Sequence, residues 1–141
     1  MTTFKHLLIT ALAAAGLTFA AGCKHIPLDA TGQNVGAFNY GEFIGLLNTT
    51  SPVVVKATHD AVKQLGLTEV AATNQKFSGD IVARDENDME VTIRIRETNS
   101  RQTALRIRWG KGGDLDRSRQ LYDLVNNAVS GVPTTTTGVV R

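Results

Sequence analysis

The sequence predicts an α+β domain in which an antiparallel β-sheet of about five strands carries two helices on one face, in the order β-α-β-β-β-β-α. Two observations lead to this expectation. Several short segments alternate apolar and polar residues with period two, so each strand buries one face and wets the other, the habit of antiparallel sheets. Two longer segments instead repeat their apolar residues three and four apart, which lines one side of a helix. A chain of 141 residues has room for one such domain and little more.

The domain is expected over residues 37–129, and its first strand spans about Phe38 to Leu47. Ser51-Pro52 then opens a helix, because a serine oxygen accepts from the orphan N–H groups and proline suits the first helical position. Val54, Thr58, Ala61, Val62 and Leu65 form its inner face, and Gly66-Leu67 reads as its C-terminal stop. Thr68 to Thr73 and Gly79 to Arg84 are the next strands, followed by a turn at Asp85-Glu86-Asn87-Asp88. The clearest alternation comes after it. Met89, Val91, Ile93 and Ile95 face inward against Glu90, Thr92, Arg94 and Arg96, and Leu105, Ile107 and Trp109 do so against Ala104, Arg106 and Arg108. Thr98 to Gln102 joins these two strands as a hairpin. Gly113 or Asp114 caps the second helix, whose inner positions are Leu121, Tyr122, Val125, Ala128 and Val129, and Gly131 with Pro133 ends it.

Ahead of the domain, Lys5 and His6 precede the uncharged run LLITALAAAGLTFAAG from Leu7 to Gly22, the plan of an export signal over residues 1–22. The run is short for a permanent span, which needs roughly 20 apolar residues. Ala20-Ala21-Gly22-Cys23 resembles the lipobox of bacterial lipoproteins, with Ala20 where leucine is usual. That resemblance implies that the Cys23 thiol receives a diacylglyceryl group and becomes the acylated first residue of the mature protein. Three chains exceed the two-anchor requirement for stable attachment. Lys24 after the cysteine implies the outer membrane, with the domain facing the periplasm. Residues 23–36 are expected to be a flexible tether and residues 130–141, rich in threonine, a disordered tail.

Composition narrows the chemistry. A lone cysteine excludes an internal disulfide and a thiolate metal cluster. Net charge is +2, and losing residues 1–22 removes only Lys5 from the charged set, so the mature chain is nearly neutral. Nucleic-acid binding needs a concentrated basic footprint and is not expected.

Leu105-Arg106-Ile107-Arg108-Trp109-Gly110, Gly113-Asp114 and Ser118 resemble the C-terminal signature of an uncharacterised family of small bacterial lipoproteins, a domain of unknown function. The similarity extends to Tyr40-Gly41-Glu42, Leu65-Gly66-Leu67 and Gly79-x-Ile81-x-Ala83. Trp109 stands where that family has a small aliphatic residue, and Lys111-Gly112 loosens the turn. The resemblance implies fold and anchoring, and supplies no catalytic residues.

The search for chemistry is correspondingly thin. His59 has only Asp60 beside it, about 100° away around a helix, and His25 adjoins the anchor. Ser118 has no histidine at a suggestive spacing. Asp85, Glu86, Asp88 and Glu90 cluster without the spacing of a calcium loop. Gly110 to Asp114 resembles an anion cradle but lacks the lysine-serine or lysine-threonine of a phosphate loop, and Asp114 would repel phosphate. No cofactor or metal is expected.

Arginine is the most informative surface residue. Alternation puts Arg94, Arg96, Arg106 and Arg108 together on the face opposite the core. If Ala83 faces Val91, then Asp80 lies opposite Arg94 and Arg84 opposite Glu90, which leaves Arg106 and Arg108 less compensated. The expected function is a lipid-anchored, non-enzymatic envelope module that binds a protein or an anionic envelope component through this face. The alternative is a small envelope hydrolase or metal-dependent enzyme.

Overall fold

The computed structural model describes residues 24–28 and 35–131. The export signal, Cys23, and residues 132–141 of the expected tail lie outside the described residues. Seven strands and two helices follow in order: β1 (Lys24–Pro27), β2 (Val35–Asn39), β3 (Glu42–Leu47), α1 (Ser51–Gln64), β4 (Thr68–Gln75), β5 (Ser78–Arg84), β6 (Glu90–Asn99), β7 (Gln102–Trp109) and α2 (Leu115–Ser130). The strands form one antiparallel sheet in the order β1-β2-β3-β7-β6-β5-β4. Both helices pack against each other and against the same sheet face, α2 over β3 and β7, α1 over β4 to β7. The expected class and layering therefore stand, with seven strands in place of about five.

The two extra strands have separate causes. The segment expected as one strand from Phe38 to Leu47 folds back on itself at Tyr40-Gly41, where φ is 48° and 77°. Two consecutive left-handed residues make the two-residue hairpin turn that matches strand twist, and tyrosine is a poor sequence signal for it. β1 comes from the expected tether. Its four residues lack alternation, but they pair with β2 from Lys24↔Phe38 to Pro27↔Val35. Pro27 is tolerated there because β1 is an edge strand. At the other edge, β4 is exposed along its whole length and carries a bulge between Glu69 and Ala71, an irregularity that discourages pairing with another chain.

Helix ends show one success and one correction. Gly66, at φ 68°, ends α1, with the Leu67 N–H donating to the Val62 carbonyl and the Gly66 N–H to that of Lys63, and Leu67 is buried. At the other end Ser51 does not cap α1. Thr50 is the N-cap without a side-chain bond, and the Ser51 N–H donates instead to Glu97 Oε2 at 3.0 Å. A carboxylate from β6 thus meets the positive end of the helix, a partner 46 positions away that local reading cannot see. In α2 the Asp114 carboxylate accepts from the Arg117 N–H, as an N-cap should.

Phe43, Ile81, Ile93, Ile95, Leu105, Ile107, Val54, Val62, Leu121 and Val125 are fully buried between sheet and helices, and Trp109 closes one end of this core. Ala128 is exposed rather than inward, while Val129 beside it packs, partly buried, against the core. Two sheet glycines set the helix depth. A Cβ on Gly45 would collide with the Tyr122 ring, and one on Gly79 would come within 2.7 Å of Val55 Cγ2. Tyr122 also meets Phe43 edge to face and donates its hydroxyl to the Leu46 carbonyl at 2.8 Å. A rigid ring cannot step aside, so Gly45→Ala should destabilise the domain by about 1–3 kcal/mol through overpacking. Denaturant unfolding measures this, and a change below about 0.5 kcal/mol would show that α2 is not seated on Gly45.

Candidate functional site

No described helix or strand covers the second face of the sheet. Register builds it row by row: Ile44 lies beside Arg106, Arg106 beside Arg94, and Arg94 beside Asp80. Ala83↔Val91 and Arg84↔Glu90 also pair as the alternation requires. Arg94 and Arg106 are therefore directly opposed like charges, an arrangement that is unfavourable without a counter-ion. Glu42 supplies it. Its carboxylate is mostly buried and reaches Arg94 at 3.5 Å and Arg106 at 3.4 Å.

Arg96 is held differently. Asp80, although opposite Arg94, pairs diagonally with Arg96 through two contacts of 2.8 Å, and the other arm of that guanidinium donates to the carbonyls of Gly79 and Ile95. Arg84 takes Asp88 at 2.8 Å and Glu90 at 3.9 Å. Of the four arginines read from the sequence, three have acidic partners. Arg108 alone has none among the described residues, so only half of the expectation for Arg106 and Arg108 holds.

Arg108 shares a shallow concavity of about 440 Å³ with Lys111, Thr92, Gly110 and Glu90. Lys111 likewise has no acidic partner among the described residues, while Glu90 is drawn toward Arg84. The result is a pair of uncompensated cations where β7 runs into the loop before α2. The sequence reading missed Glu42 and Lys111 as parts of this face. Strand alternation from Phe43 would have placed Glu42 on it had the Tyr40-Gly41 turn been recognised.

That loop is braced from below. Gly41 and Gly113, both left-handed, approach so closely that neither has room for a Cβ. The glycine-rich stretch is thus packed against a turn, and the α2 N-terminus is already occupied by Asp114, so it is no phosphate cradle. The Tyr40-Gly41-Glu42 and Gly113-Asp114 motifs, far apart in sequence, are one contact in space.

The remaining candidates fall elsewhere. His59 Nδ1 lies 2.7 Å from Glu69 Oε2, while Asp60 turns to Lys56. Ser118 is buried on the inner face of α2, its hydroxyl without a partner among the described residues. Among the described residues no group of three His, Cys, Asp or Glu side chains could hold a metal ion. In the acidic loop Asp85 accepts from the N–H groups of Asn87 and Met89 and from Arg117. Arg117 in turn stacks over Trp109 at 5.2 Å beside a second cavity of about 340 Å³. The loop is therefore a structural clasp between β5, β6 and α2.

Fold and face together define a class: a one-sheet α+β domain with helices on one side and a charged, uncovered sheet on the other. Residues 5–128 match the family described as Protein of unknown function (DUF3568), and the chain belongs to that family. No curated protein matches it.

The Met89 N–H, and after it the Asn87 N–H and Arg117, hold the Asp85 carboxyl below its ordinary range against the opposing effect of burial. A lowered folded-state pKa stabilises the native protein above the unfolded carboxylate value and loses that contribution as pH falls through the folded value. Asp85→Asn should therefore melt below wild type at neutral pH, with the gap closing as pH falls below the ordinary carboxylate range and through the lowered folded-state value. A gap independent of pH would show that the Asp85 charge is not what clasps the loop.

Proposed function

We propose that this protein is a lipid-anchored, non-enzymatic binding module of the cell envelope, held at the outer membrane on its periplasmic side by acylated Cys23. Its uncovered sheet face binds an anionic envelope component. The observation that carries the binding reading is the Arg108–Lys111 pair, two cations without acidic partners among the described residues on a face where Arg94, Arg96 and Arg106 are compensated. Two neighbouring cations on one shallow concavity recognise phosphate or carboxylate groups through charge-assisted hydrogen bonds. The anchoring reading is supported by Ala20-Ala21-Gly22-Cys23 and by the family match, which begins at residue 5 and so takes in the apolar run and the cysteine. The hydrolase alternative has less behind it, since among the described residues the His59–Glu69 pair belongs to no group of three His, Cys, Asp or Glu side chains placed to hold a metal ion.

Cys23→Ser should abolish acylation, because a hydroxyl is a poor substitute for the nucleophilic thiol. Mass spectrometry of protein from native membranes checks this, and a mature N-terminus other than acylated Cys23 overturns the anchoring.

For the face, the chain from residue 24 onward should co-sediment with anionic vesicles or lipopolysaccharide at low salt. Arg108→Glu with Lys111→Glu should reduce binding by about tenfold or more with the thermal melt nearly unchanged, and added salt should mimic the substitutions. Glu42→Gln, which frees Arg94 and Arg106, should strengthen it. Absence of binding by the unsubstituted chain at low salt sinks this reading.

A further inference from the structure

A flexible stretch of about a dozen residues between anchor and fold would leave the domain free to tumble, but β1 removes it. Lys24, the residue after Cys23, is already paired to Phe38, so the chain enters the sheet at the point where the lipid would be attached. Acylation at Cys23 would then hold one particular end of the sheet at the bilayer surface. That end carries the start of β1, the β2–β3 turn, the end of β7 and the loop before α2.

What stands there suits a headgroup layer. Tyr40 is 83% exposed and keeps a left-handed φ of 48°. For a tyrosine that conformation is unfavourable, and the Gly41–Gly113 contact holds it in place. Tyrosine is an interfacial residue because its ring is apolar and its hydroxyl polar. Beside it in the bracing loop is Lys111, with Arg108 near the end of β7, the two cations of this face that lack acidic partners among the described residues. On the open face Glu42, which follows the turn at this end, reaches Arg94 and Arg106, and Asp80 holds Arg96, so that among the described residues Arg108 and Lys111 are the cations of this end without an acidic partner. The acidic Asp85–Asp88 loop is at the same end but on the β5–β6 side, remote from β1 in the sheet order.

We infer that the ligand of the Arg108–Lys111 site is the phospholipid surface to which the chain is anchored, and that the domain stands end-on upon it with Tyr40 in the headgroup layer. This rests on the anchoring proposed above. The open face then stands upright from the bilayer, leaving its neutralised rows free in the periplasm.

The chain's two tyrosines allow a direct test, since Tyr122 is buried and Tyr40 is not. The acylated protein carrying Phe77→Tyr is placed in phosphatidylethanolamine–phosphatidylglycerol vesicles and iodinated with lactoperoxidase, which stays in water. Phe77 is 57% exposed on the β4–β5 turn, at the opposite end of strands about 20 Å long. Free tumbling would make Tyr40, the more exposed, react at least as fast. End-on seating should slow it at least about fivefold relative to the tyrosine at position 77, and Lys111→Glu should remove part of that protection. Equal rates on a protein that mass spectrometry shows to be acylated overturn the seating alone, whereas an unacylated Cys23 overturns seating and anchoring together.

Discussion

The contact between Tyr122 and the bare backbone at Gly45 sets the depth at which the helical layer meets the sheet. Because the ring occupies the space a Cβ would take, α2 sits low enough for its hydroxyl to reach the Leu46 carbonyl and for its edge to meet Phe43. Gly79 does the same for α1 through Val55. With both helices at that depth their flanks touch, and the apolar rows of β5, β6, β7 and β3 are sealed without a second layer on the far side. The uncovered face follows from this arrangement: two helices are just wide enough to close one side of the central strands.

A second close approach ties that layer to the end of the sheet. Gly41 and Gly113 share a space that admits no side chain, which locks the β2–β3 turn to the loop before α2. Tyr40, Glu42, Lys111 and Asp114 are therefore positioned by one backbone contact. Glu42 turns to the open face to hold Arg94 and Arg106, Asp114 caps α2, and Tyr40 projects into solvent. Structural and surface roles are interleaved residue by residue along these two segments.

The ion pairs on the open face contribute little to stability, since exposed pairs are worth roughly 0–1 kcal/mol each. Their physical importance lies in what they leave over. Glu42 and Asp80 quench the centre of the arginine cluster, and the residual positive potential moves to Arg108 and Lys111. Hydrophobic burial on one side carries the fold, which leaves the other side free to be tuned for charge.

Local pattern was sufficient for β5, β6, β7, α1 and α2, because each buries one clean face and period reports that burial directly. It also placed the four arginines on one face and predicted the facing of Asp80 with Arg94 and of Arg84 with Glu90. It failed where the determining partner is distant. Glu97 caps α1 from another strand, Tyr40 is forced into a turn that its own preference opposes, and β1 exists because β2 offers it an edge. Alternation assigns a side chain to a face, but it cannot say which of several neighbours a long arginine will reach, so Asp80 took Arg96 and Glu42 was overlooked. The sequence by itself determined layer, class and the composition of each face, since these follow from the period of apolar residues. Only the tertiary structure decided which charges cancel and which end of the sheet begins beside Cys23, since both depend on strand order and register, which no local window contains.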